Sequence, residues 1–182
     1  MDEQRFWDVI EEARARAGAP AAAVSADVAV IAREARGVLS EFGESDLIQA
    51  QQRLWDLLAR SYRTPLWGAA YLVNGGCSDD GFEYFRGWLI AQGRAMFERV
   101  VAHPDALAQL TGVREALADL GELEGEEMLG VAWDAFRLAT GRELPVGVFT
   151  VEYPDLAPGW DFEDEEETGR RLPGLRELCR SE

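Results

Sequence analysis

The sequence contains no lysine. All 18 of its basic residues are arginine, and it has one histidine and two cysteines among 182 residues. Without lysine there is no Schiff-base chemistry and no phosphate-binding loop of the lysine type. His103, Cys77 and Cys179 are too few to build a His-rich or Cys-rich zinc site within one chain. The two cysteines lie far apart and are expected as reduced thiols rather than as a disulfide. Long apolar runs are also missing. The longest covers residues 66–73 with Gly68 inside it, against about twenty residues for a membrane span. Acids precede any apolar run at the start, and no signal-peptide pattern follows, so a cytoplasmic location is expected.

Positive charge is scarce as well. There are 34 acids against 18 bases, a formal net charge of -16. Such a chain repels phosphate backbones and anionic bilayers, so neither nucleic acid nor membrane is expected as a partner. The charge serves solubility, and it also steers basic proteins toward the surface. Apolar residues nevertheless make up 47% of the chain, with six Trp, eight Phe and four Tyr. That is ample for the core of one domain.

Apolar spacing of three and four residues predicts helices along most of the chain. Residues 2–17 carry Phe6, Ile10, Ala13 and Ala17 on one face. A second helix is expected after Ser25 as N-cap, with Val28, Ile31, Ala35, Val38 and Phe42 before Gly43. A third runs from Ser45 and Asp46 to about residue 63 on Leu47, Leu54, Leu58 and Tyr62, broadened by Ile48, Trp55 and Leu57. Thr64 and Pro65 read as a cap and first helical position, opening a short uncharged buried helix that ends at Asn74, Gly75 and Gly76, with a buried strand as the alternative.

Residues 80–101 are apolar on nearly every side, which predicts a long central helix enclosed by its neighbours. Gly87 and Gly93 inside it imply close approach of another backbone or a ligand. Short helices are expected after His103 and Pro104, and over 113–120 with Leu117 and Leu120 inward. Residues 126–140 form the last long one. The expected fold class is therefore mainly α: a compact helical bundle around one long buried central helix, with a C-terminal extended arm and acidic tail.

Two parts are expected, a helical domain over 1–142 and an extended acidic C-terminal arm over 143–182 packed on the same domain. Within the arm, 146–153 is β-branched and aromatic without a second strand to pair with. It is expected to lie across the helices, with addition to a partner's sheet as the alternative.

Residues 67–93 concentrate unusual chemistry: Trp67, Tyr71, Asn74, Cys77, Ser78, Asp79, Asp80, Glu83, Arg86 and Trp88, with glycines between. Together with Phe6-Trp7, Pro104-Asp105 and Tyr153-Pro154, this stretch resembles the signature of an uncharacterised bacterial family, the domain of unknown function number forty-two forty. The resemblance implies family membership and carries no reaction, cofactor or catalytic residue.

Read on their own chemistry, the ten residues just named are the candidate binding site. Asn74, Ser78, Asp79, Asp80, Glu83 and Arg86 would line a polar cleft over Trp67, Tyr71 and Trp88. The carboxylates suit a divalent cation through oxygen ligands, or an acid and base pair. The competing reading is structural. Acids in a first turn offset the helix dipole, Asp80 with Glu83 has capping-box spacing, and Glu83 with Arg86 has ion-pair spacing.

Cys77 precedes a helix N-terminus, where thiolate is favoured, but its base could only be His103 or a carboxylate, and a helix over 80–101 would put His103 roughly 30 Å away, so a buried or turn cysteine is expected. No cofactor and no assigned metal ligand follow from the sequence. A protein-binding or regulatory module, with a protein partner or a homodimer, is the expected function. The alternative is a small-molecule enzyme or divalent-metal-binding protein using the loop 74–86.

Overall fold

The computed structural model describes residues 1–19, 23–24, 27–120 and 122–180, the side chains of 116, 119 and 120 excepted. The chain is a mainly α bundle. In order, α1 is Glu3–Arg16, α2 Val28–Leu39, α3 Glu44–Ser61, α4 Thr64–Val73, α5 Asp79–Ala91 and α6 Arg94–Ala102. A 3-10 turn Pro104–Gln109 leads to α7 Val113–Leu120. A second, Glu126–Met128, leads to α8 Val131–Thr140, and α9 Glu165–Arg171 and α10 Pro173–Arg180 follow. No strand occurs among the described residues, and none of their helices is long and apolar enough to cross a membrane.

Local chemistry sets the ends. Asp2 and Asp27 cap α1 and α2, accepting from the N–H groups of Arg5 and Val30. The cap expected at Ser25 lies outside the described residues, as does the inward side chain expected of Leu120. Thr64 does not cap α4. That position is Arg63, and the Thr64 hydroxyl instead donates to the carbonyl of Ala157 at 2.6 Å. The Asp80 and Glu83 pair does not close a capping box either: the cap of α5 is Ser78, whose Oγ accepts from Gly81 N–H at 3.1 Å.

The single long central helix is overturned. The stretch 80–101 breaks at Gly93, whose φ is 89°, a conformation that side chains resist. The amide of Arg94, which opens α6, donates to Glu11 Oε1 of α1 at 3.2 Å. A Cβ on Gly93 would stand 2.4 Å from that oxygen. The glycine is a hinge between two helices, and only α5 keeps the enclosed character. Phe82, Phe85, Trp88, Leu89, Ile90 and Ala91 are fully buried, with α1, α2, α3 and α4 around them. The expected helix 126–140 is likewise divided, at Gly130.

Gly87 does admit another backbone. A Cβ there would lie 2.4 Å from the carbonyl oxygen of Gly125, and one on Gly125 would lie 2.7 Å from the amide nitrogen of Trp88. The Gly125 N–H donates to Tyr84 O at 3.0 Å. Two glycines thus let the segment before α8 cross α5 at backbone contact, and this crossing fixes where α8 begins.

Residues 144–160 run without regular structure over this frame. Thr150 is held by Gln52 of α3, which accepts from its N–H at 2.8 Å and donates to its C=O at 3.1 Å. Tyr153 packs on Tyr62 with ring centroids 4.7 Å apart.

Two alanine substitutions separate crossing from propensity. Gly87→Ala should lower unfolding stability by about 2 kcal/mol, since overpacking against backbone outweighs the helix-propensity gain. Gly37→Ala in α2, where a Cβ meets nothing within 4 Å, should raise stability by roughly 0.5–1 kcal/mol. Urea unfolding of the two variants checks both signs.

Candidate functional site

Residues 74–86 fold into a tightly bonded corner rather than an open cleft. Asn74 Oδ1 accepts from Leu123 N–H at 2.9 Å, tying the end of α4 to the segment before α8. Trp67 Nε1 donates to the carbonyl of Cys77 at 3.0 Å, and its ring stacks on Phe82 at 4.8 Å. Tyr71 turns the other way, to Glu163 at 3.3 Å and Phe162, and desolvation, followed by that carboxylate, holds its phenol protonated to higher pH. Trp88 is fully enclosed, stacked on Phe85 at 5.6 Å. Asp79 and Asp80 are exposed in the first turn of α5. Among the described residues no three His, Cys, Asp or Glu side chains gather where they could hold a metal ion.

Arg86 is the polar centre of this corner and is only 2% exposed. Its Nη1 donates to Leu58 O at 2.7 Å and its Nε to Phe82 O at 3.1 Å. Leu58 belongs to the last turn of α3, where carbonyls lack helical partners and the dipole is negative. The guanidinium also lies over three rings, Phe82 at 4.8 Å and Tyr62 and Tyr153 at 5.1 Å. Glu83, the ion-pair partner expected from spacing, instead accepts from the Tyr153 hydroxyl at 3.5 Å. Tyr153 has its own pKa raised by burial, against the pull of Arg86.

Cys77 departs from thiolate chemistry. Burial first, and then Glu124, push its pKa up to about 12. Burial and the neighbouring Glu122 and Glu126 raise the Glu124 carboxyl too. His103, the one imidazole, stands elsewhere, beside Pro104, Trp160 and Arg171.

A real cleft opens along α3. It measures about 570 Å³ and is walled by Trp55, Trp133, Leu129 and Phe149, with Gln51 in its lining and Glu126, Glu127 and Asp134 at its edges. Three elements build it: α3, the turn into α8, and the arm. The Gly87–Gly125 crossing sets the turn, and the Gln52 clamp on Thr150 delivers Phe149. Gln51 is 3% exposed, yet its Oε1 is buried without a hydrogen-bond partner, as is the indole Nε1 of Trp55. Each such group forfeits its bonds to water, and Trp88 Nε1 and one nitrogen each of Arg53, Arg60 and Arg176 share this state. Trp133 Nε1, by contrast, donates to Glu143 at 2.8 Å.

None of the cleft residues belongs to the set expected from sequence. One signal was available: Gln51 interrupts the stripe Leu47, Leu54 and Leu58 at helical spacing, a polar side chain on a buried face.

A family model described as "Protein of unknown function (DUF4240)" matches residues 1–138. The chain belongs to this family. No curated protein and no solved structure matches it. The match takes in the loop 74–86 and the α3 and α8 sides of the cleft, while Phe149 comes from beyond it.

The thiol gives a pH test. A folded pKa of about 12 lies above the unfolded thiol value of about 8.5. Between these the unfolded chain binds fewer protons, so stability falls as pH rises. Iodoacetamide should label Cys77 in the folded protein far more slowly than in urea at pH 8. The Cys77→Ser variant should lose less stability between pH 9 and 11 than the wild type. Equal labelling rates in the two states would contradict the burial of this thiol.

Proposed function

We propose that the chain is a protein-binding module that receives a positively charged partner at the cleft between α3, α8 and the arm. The observation that carries this reading is the composition of the cleft. Aromatic walls from Trp55, Trp133 and Phe149 stand beside Glu126, Glu127 and Asp134. Indole faces and carboxylates together suit arginine or lysine side chains, through cation–π contact and charge.

The net charge of -16 supports the same reading. It steers basic proteins in and repels a second copy of the chain, which favours a heterologous partner over a homodimer. A regulatory role in the cytoplasm fits such a module, and Cys77 and Cys179 are not joined by a disulfide.

Against a catalytic role for the loop 74–86 stand the bonds its residues already make. Asn74, Ser78, Trp67 and Arg86 are each engaged by backbone groups, and Cys77 is held protonated. Their service is to the fold.

Capture from an extract of the producing cell tests the proposal, with wild type and a Trp133→Ala, Glu127→Gln double variant run side by side. The expected result is a basic protein retained by the wild type, released by salt, and bound by the variant about tenfold or more weakly after purification, as for loss of an interface anchor. Equal retention by both proteins, or an acidic partner, contradicts it.

A further inference from the structure

Resting on that reading, we infer that the cleft recognises an extended peptide segment of the partner, one that carries an arginine or lysine side chain.

Two polar atoms of residues lining the cleft are left unpaired. Gln51 Oε1 is an acceptor without a donor, and Trp55 Nε1 is a donor without an acceptor; both residues line the cleft. They stand four residues apart on α3, on one face, separated by a rise of about 6 Å. An extended chain offers the complement. Its N–H and C=O groups facing one side repeat every two residues, about 6.8 Å apart. Both atoms are buried beneath the cleft surface, so one peptide strand would donate to Gln51 and accept from Trp55 once the two side chains turn outward.

The same helix already does this once. Gln52, the next residue, holds both backbone groups of Thr150, with bonds of 2.8 and 3.1 Å. The arm is an irregular segment of this chain clasped at Thr150 by a glutamine amide, and the cleft beside it holds an acceptor and a donor without partners. A small apolar ligand would leave both groups unpaired, which is unfavourable. A simple cation would satisfy Gln51 and leave the indole unmet.

Charge selects the side chain. Glu126 and Glu127 at the cleft edge are exposed and make no ion pair among the described residues. Asp134 is engaged by Arg137 at 3.0 Å. A basic side chain reaching from the bound strand would meet the first two carboxylates across the faces of Trp55 and Trp133. The opening of about 570 Å³ has room for such a side chain.

The test is titration of the isotope-labelled full chain with blocked alanine pentapeptides whose central residue is Arg, Leu or Glu, following the indole N–H signals of Trp55 and Trp133. Ethylguanidinium serves as the cation without a peptide. The Arg peptide should shift both indole signals to saturation, with the Leu peptide about tenfold weaker and the Glu peptide without effect. Gln51→Leu should weaken the Arg peptide by about tenfold, the loss of one bond to a buried amide. The same variant should melt no lower than the wild type, because it removes an unpaired polar atom. A melting point lowered together with binding would mark Gln51 as merely structural and overturn the proposal. Ethylguanidinium binding as tightly as the Arg peptide would overturn it too, as would equal binding of all three peptides. If no peptide binds but the wild type still captures a basic protein that the cleft variant loses, peptide recognition fails while the partner reading stands.

Discussion

A guanidinium taken out of water needs its charge answered, and Arg86 is answered by backbone and rings rather than by a carboxylate. Its strongest bond, 2.7 Å to Leu58 O, falls at the C-terminal end of α3, where the helix dipole presents negative charge. The flanking rings of Phe82, Tyr62 and Tyr153 add cation–π attraction that reaches about 2 kcal/mol when desolvated. The arrangement needs arginine in particular. Only a planar fork reaches two carbonyls while stacking on aromatic faces.

What depends on this contact is the placement of everything around α3. It joins the end of α3 to the middle of α5, and through Tyr153 it draws the arm onto the same surface. The arm thus lies along α3, where Gln52 takes the Thr150 backbone and Phe149 reaches the cleft. On the neighbouring face of α5, the contact of Gly87 with Gly125 brings in the turn before α8 and with it Trp133, Glu126 and Glu127. The cleft is where these two constraints meet, and its shape follows from them without any bonded network of its own.

The helical frame was legible in the sequence because burial follows spacing. Phe6, Ile10 and Ala13, or Leu47, Leu54 and Leu58, are buried as their periodicity implies. Gly87 was legible as a close-approach position for a similar reason, since a glycine in a buried helix has few other uses. Gly93 was not, because a hinge and a tolerated helical glycine look alike until Glu11 is seen to take the next amide. The bonding around the candidate site was the least legible part. Residues 67–93 are dense in polar groups, but density does not tell a site from a joint. Arg86, Asn74 and Ser78 turned inward to backbone groups far along the chain, and those partners cannot be read from local pattern. The cleft joins side chains from residues 51 to 149, so only Gln51 on its apolar stripe hinted at it.

The claim on which this picture rests is that the Arg86 fork, rather than its bulk or bare charge, holds α3, α5 and the arm together. Urea unfolding of Arg86→Lys and Arg86→Met measures it directly. Lysine keeps the charge and methionine much of the apolar stem, and both should cost about 2 kcal/mol or more, the scale of charge-assisted bonds to carbonyls. A methionine variant as stable as the wild type would contradict it.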